Sequence, residues 1–432
     1  MRRTLRALGV VLGAVTLAGC WPMPGANPDR TSFNDVERTI TALSVHDLTE
    51  SWRWTSPFGR ISSPVTSTGG VHVASNCWIA TLAPGSGEVR WAQPLTTSDV
   101  PCSTVGSTTL GEPYVVGSEV IPSLFWSYMR NPGYLEADGL APHFDVATGQ
   151  LGTADDHGLV VARRGTESVR SGLGPADPNI ASFGLTVADQ SIDLWAAPDG
   201  GTPFTDVTLG TDKVFHSGYG VMDTEPTGGP GTAHFGSGVQ AFSIAESHTG
   251  CGPVTWDYPV FGGLYLECPV WATPTDDAPT IPVLSPDGTK VFVRTSAGTL
   301  YALDAATGAV LWTAGGLGAA GKPALAQGTL WVPTGTGQVL PFAADGCGAA
   351  TCEPSLPWSV DTGTGQAVTD VTIVNDVVFA VSAGTVFAVN GCRGGACPVE
   401  WSGPGSGPPV VSNGRLYVTD GNATLIAYGL PT

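Results

Sequence analysis

Short runs of alternating apolar and polar residues, broken by glycine-bearing turns, fill most of this chain. The clearest passage reads Lys290-Val-Phe-Val-Arg-Thr-Ser-Ala-Gly-Thr-Leu-Tyr301 and continues Ala302-Leu-Asp-Ala-Ala-Thr-Gly-Ala-Val-Leu-Trp312. A period of two marks half-buried strands, and the Gly298 and Gly308 clusters mark the turns between them. The passage predicts three short strands closed by an aromatic residue. Eroded copies recur. Phe144-Asp-Val-Ala-Thr-Gly-Gln-Leu151 repeats the turn, and strands ending at Trp91, Trp256, Trp312, Trp358 and Trp401 repeat the aromatic. Units of roughly 40–55 residues that cannot bury their faces alone stack into solenoids or propellers.

The pattern counts to seven internal units and one composite. The composite joins Arg415–Thr419 and Thr424–Tyr428, near the C-terminus, to the orphan strand Trp52-Arg53-Trp54. Pairing them closes a ring and removes its free edges. The expected fold is an all-β, eight-bladed β-propeller of four-stranded blades, closed by an N-terminal strand and spanning 51–432. Seven blades is the alternative, because 92–255 is weakly marked. Ahead of the ring, Asn34 and Glu37 have capping-box spacing and predict a short helix over Val36–Leu43. Trp195 to Phe204, with Pro198-Asp199-Gly200-Gly201 as its turn, is the most blurred unit.

Composition supports this reading. Charged residues make up 13% of the chain, and 59 glycines and 35 prolines suit a turn-dense β protein better than long helices. The net charge of −19 repels phosphate backbones and excludes nucleic acid as a partner.

The first residues form an address. Basic Arg2, Arg3 and Arg6 precede the apolar stretch Ala7–Ala18, which is too short to span a bilayer. Leu17-Ala-Gly-Cys20 resembles the lipobox of bacterial lipoproteins. The resemblance implies a signal peptide over 1–19, a lipid on Cys20 as the first mature residue, and a lipidated lead-in over 20–50. The expected location is the outer face of the cell membrane. No later segment is long and apolar enough to cross it.

Eight further cysteines in an exported chain favour disulfides. Cys347-Cys352 and Cys392-Cys397 each sit just before a tryptophan, in the slot that Asp304–Gly308 fills before Trp312, so each is expected to staple an enlarged turn. Cys251-Cys268 and Cys77-Cys102 follow as the remaining pairs, with other connectivities among these four left open. The Cys-x4-Cys spacing does not match zinc sites, and no metal is expected. Asp155-Asp156-His157 and Thr275-Asp276-Asp277 read as solvated loop charges. Gly316–Lys322 resembles a phosphate loop, but Pro323 and a strand follow where a helix is needed.

Asp304-x-x-Thr-Gly308-x-x-x-Trp312 after Leu300-Tyr-Ala-Leu303 resembles the PQQ-like β-propeller repeat. That repeat occurs in quinoprotein dehydrogenases and in the propeller lipoprotein of the outer-membrane barrel-assembly machinery. The lead-in Trp21-Pro-Met-Pro-Gly25 through Arg30, Thr31, Asn34, Glu37 and Trp52 is similar to that of such propellers. The resemblance implies fold more than function. The quinoprotein site has adjacent cysteines, and none occur here. Most tryptophans sit at the repeat position and are expected to pack between blades. The expected protein is therefore a monomeric, membrane-anchored, non-catalytic scaffold without a cofactor, which binds a protein or another envelope component. The alternatives are a quinoprotein dehydrogenase holding PQQ with Ca²⁺ in a degenerate site, and an enzyme acting on envelope glycans.

Overall fold

Strands joined by a short turn pair antiparallel, because the turn is too short to reach elsewhere. The computed structural model describes residues 20–75, 77–95, 111–122, 143–152, 207–219, 237–244, 269–356, 359–390 and 397–431. It adds the backbone of Leu159–Arg164, Glu167–Leu173, Ala181–Val187 and Gln190–Ala197. Among these residues the strands form eight sheets, numbered here as blades 1 to 8 from the one that begins at Val65.

Blade 5 shows the plan: Val283–Leu284, Lys290–Arg294, Leu300–Asp304 and Val310–Ala314 lie in order from the axis outward. The turns joining first to second and third to fourth strands fall on one side of the ring, the turn face. The second-to-third turns and the links to the next blade fall on the opposite side, the crossover face. Blade 8 is composite. Val410–Ser412, Arg415–Thr419 and Thr424–Gly429 come from the C-terminal region, and the outer strand is Thr49–Thr55, with Trp54 opposite Leu425. Ring closure by an N-terminal strand is as the sequence predicts.

The core lies between blades. Val65, Ile79 and Trp91 of blade 1 pack on Val120 and Phe144 of blade 2, and Phe292 and Trp312 of blade 5 pack on Leu330 and Phe342 of blade 6. The Asp-x-x-Thr-Gly turn explains the register. Asp304 Oδ1 accepts hydrogen bonds from the Ala306 and Thr307 amides and the Thr307 hydroxyl, at 2.8–3.0 Å. That folds the chain so that Gly308, at φ +73°, lies under the indole of Trp271 from blade 4. The Trp271 Nε1–H donates to the Ala305 carbonyl at 3.1 Å. Trp52 on Pro84 (2.8 Å) and Trp91 on Val146 (3.1 Å) repeat the contact at the next junctions. Trp401 donates to Leu48 at 2.7 Å, at the point where blade 8 has no turn because the two ends of the ring meet there. Each tryptophan thus locks its blade onto the following one.

The expected helix over Val36–Leu43 does not form. That stretch is a series of bends and turns, followed by a single 3-10 turn at Val45–Asp47. Tertiary contacts take the capping groups. Asn34 Oδ1 accepts the Val36 and Glu37 amides, but its Nδ2 donates to Val411 at 2.7 Å. The buried Glu37 carboxylate accepts the Arg38 and Thr39 amides and, from blade 8, the Gly414 amide at 2.9 Å. Asn375 and Asn390 of blade 7 donate to the carbonyls of Ile40 and Ala42. The contacts with Val411, Gly414, Asn375 and Asn390 tie the segment to the turn-face side of blades 7 and 8.

Candidate functional site: the axial channel

The inner strands surround an axis, and the lead-in fills it. Trp21 and Thr66 exchange hydrogen bonds, the Trp21 amide donating to the Thr66 hydroxyl and its carbonyl accepting the Thr66 amide. The carbonyls of Pro22, Asp29, Thr31 and Ser32 accept amides from Val115, Leu284, Leu325 and Ile373, which lie on the inner strands of blades 2, 5, 6 and 7. Phe33–Asn34 adds in parallel to Val368–Val374. The orphan amides of the inner strands are thereby satisfied by chain rather than by water. The plug extends from mid-channel toward the turn face.

On its crossover side the plug ends in charge. Arg30, 5% exposed, donates from Nε to the Val207 carbonyl at 3.0 Å and from a terminal nitrogen to the Tyr114 hydroxyl at 3.0 Å. Lys322 Nζ donates to the Ser32 hydroxyl at 2.5 Å and to the Arg30 carbonyl at 3.2 Å. Glu112 and Asp370 stand at the starts of the inner strands of blades 2 and 7, and both are half-buried. Burial raises the Glu112 carboxyl, against the pull of Arg30 and Lys322. Burial also lifts Asp370 to about 6, against Lys322. Lys322 falls to about 8, through burial first and the Arg30 charge second, despite both carboxylates. Two cations and two carboxyl groups thus gather at the crossover end of the plug, where burial works against the attraction between opposite charges.

The sequence-predicted residues fall elsewhere. Cys20 begins the described chain as a free thiol, 6% exposed, hydrogen-bonded to the Asn413 side chain. Cys347 and Cys352 form a disulfide, with Cα atoms 5.7 Å apart, in the enlarged turn below Trp312. Gly346 in that turn takes the place under the indole that Gly308 holds in blade 5, but the Trp312 Nε1–H finds no hydrogen-bond acceptor. Cys77 and Cys397 are disulfide-bonded as well. Cys102, Cys251, Cys268, Cys392, Trp256 and Trp358 lie outside the described residues. In blade 4 the outer-strand tryptophan is Trp271, where the spacing argument had placed Trp256. Asp304, Gly308, Trp91, Trp312 and Trp401 all serve blade junctions rather than the axis. Sequence reasoning also missed Glu112 and Asp370, which carry no local motif. Lys322 had a signal, as one of three lysines in the chain and immediately before an inner strand.

Residues 269–397 match the family PQQ_2, described as outer membrane protein assembly factor BamB. No curated protein matches the sequence. Among solved structures, the quinohemoprotein alcohol dehydrogenase from Comamonas testosteroni is 12% identical with a TM-score of 0.60, over 96% of this chain and 81% of that chain. A europium-containing methanol dehydrogenase is 14% identical with a TM-score of 0.56, over 93% and 89%. The computationally designed Ika8 protein is 13% identical with a TM-score of 0.57, over 88% and 99%. The chain has a β-propeller fold, and residues 269–397 resemble the PQQ-like repeat. A designed protein shares its architecture about as well as the dehydrogenases do, so at these identities the likeness speaks for fold alone.

The quinoprotein likeness implies PQQ with Ca²⁺. PQQ needs an aromatic face to stack on, and Ca²⁺ needs a set of oxygen ligands. The described channel residues do not fit either need. The tryptophans at the repeat position are turned into blade junctions, and Glu112 and Asp370 lie in the field of Arg30 and Lys322, which opposes a divalent cation.

Proposed function

We propose that this protein is a lipid-anchored, extracytoplasmic propeller that serves as a non-catalytic scaffold for a protein of the cell envelope. The observation that carries this reading is the axial plug. The turn-face half of the channel is taken by the chain's own lead-in, which hydrogen-bonds to inner strands around the ring. That stiffens the ring and leaves its broad loop faces as the surfaces on offer. The family matched over 269–397 bears the name of an outer membrane protein assembly factor, which supports a protein as the partner. The Leu17-Ala-Gly-Cys20 signature supports the anchor.

Two experiments test the reading. A Cys20→Ala protein should leave the membrane fraction for the soluble one, and retention after a salt wash would sink the anchor. Photocrosslinkers placed on each loop face of the native lipoprotein should trap one discrete envelope protein. A stoichiometric quinone absorbance after adding PQQ and Ca²⁺, with turnover of an alcohol, would overturn the scaffold in favour of a dehydrogenase.

A further inference from the structure

Two independent features gather on the turn face. The first is Cys20. Its sulfur meets Asn413, an exposed residue in the turn between the first two strands of blade 8. Trp21, the next residue, is already locked to Thr66, so no spacer separates Cys20 from the ring. A group carried on that sulfur, itself buried, would lie beside Asn413.

The second feature is the distribution of exposed apolar side chains. Leu43, 87% exposed, and Val36, 44% exposed, lie on the lead-in where it crosses the turn face. Val89, Leu151, Val310 and Val399, each 41–55% exposed, open the outer strands of blades 1, 2, 5 and 7 at the rim of that same face. None of the nine large exposed hydrophobics among the described residues belongs to a crossover-face loop. An isolated exposed leucine is ordinary, but several exposed apolar groups gathered on one face mark it as an interaction surface.

We infer that the turn face rests on a lipid bilayer, with Leu43 dipping into the headgroup boundary and the crossover face, with the channel mouth, turned away from the membrane. This deepens the scaffold reading and rests on its lipid anchor. A bilayer is the occupant of choice because the proposed acyl attachment point lies on the same face without a tether. The lipid tethers this face, and the exposed apolar side chains beside it add a second contact. With a net charge of −19, the second contact is apolar rather than electrostatic. The face that remains free for a protein partner is then the crossover face.

The test uses the full-length lipidated protein in phosphatidylcholine vesicles carrying a lipid-attached quencher. A fluorophore is placed at position 43 through Leu43→Cys or, in a second protein, at position 60 through Arg60→Cys. Arg60 is exposed in the link from blade 8 to blade 1 on the crossover face. The probe at 43 should be quenched at least several-fold more than the probe at 60. Leu43→Asp should weaken vesicle association roughly tenfold, about the worth of one leucine side chain. Equal quenching, or stronger quenching at 60, overturns the orientation. A probe at 43 that is shielded from water but not quenched shows a protein or a second copy on that face, and also overturns it. Failure of the anchor looks different: the wild-type protein does not float with vesicles at all.

Discussion

Gly308→Ala tests whether the tryptophan contacts hold the blades together. The backbone there is left-handed, at φ +73°, and a methyl group would lie 2.5 Å from Trp271 Cε3 and 2.8 Å from the Thr273 hydroxyl. The left-handed conformation costs an alanine about 1–2 kcal/mol. Forcing a methyl into a packed ring costs a further ~1–3 kcal/mol. The expected loss is therefore about 2–5 kcal/mol. Gly288→Ala supplies the control. Gly288 has φ +71° in the Pro-Asp-Gly turn of the same blade, with no atom within 4 Å of an added methyl. It should lose only the backbone cost, about 1–2 kcal/mol. Urea unfolding followed by far-ultraviolet circular dichroism gives both values from the midpoint shift at a common slope. Trp271→Leu in the Gly308→Ala background should recover part of the loss, since it removes the clash. Equal destabilisation by the two alanine variants, with no recovery, would refute the idea that the turn glycine exists to seat the indole.

Three further predictions address the lead-in, the blade junctions and the channel. Glu37→Gln weakens the carboxylate that accepts amides from both the lead-in and Gly414, and should cost about 1–3 kcal/mol, read as a lower melting temperature and faster tryptic cleavage at Arg38. Trp271→Phe keeps the packing but loses the hydrogen bond to Ala305, and should cost about 1 kcal/mol in urea. The Asp370 carboxyl titrates near 6 in the folded protein and near 4 when unfolded, so its contribution is fully present below about pH 4 and fades as pH rises through 6. Asp370→Asn should flatten that part of the stability–pH curve, and an unchanged slope between pH 4 and 6 would show that this carboxyl is not the group concerned.

Local spacing made most of the fold legible. Period-two alternation and the Asp-x-x-Thr-Gly turn are short-range signals, and Phe144–Leu151 and Lys290–Trp312 form the strands they predict. The composite blade could be read from a chain whose last unit lacks one strand and whose first strand lacks a unit. Trp271 was missed because the spacing rule settled on Trp256, although the Trp271 indole does what Trp91 does. The predicted helix at Val36–Leu43 failed for a different reason. Asn34 and Glu37 were correctly recognised as groups that bind backbone amides, but their spacing cannot say that one of those amides belongs to Gly414, far along the chain.

The candidate site was almost invisible beforehand. Glu112 and Asp370 carry no motif, and they meet Lys322 and the lead-in's Arg30 only because inner strands converge on an axis. The repeat and its turn chemistry determine, from sequence alone, that this chain builds a closed ring of blades. Only tertiary structure decides what fills the ring, because the plug is held by backbone hydrogen bonds to inner strands whose amides carry no side-chain signature. The same holds for the two faces. Leu43 and Cys20 are separate in sequence, and only the route of the lead-in over the turn face brings them to one side of the molecule.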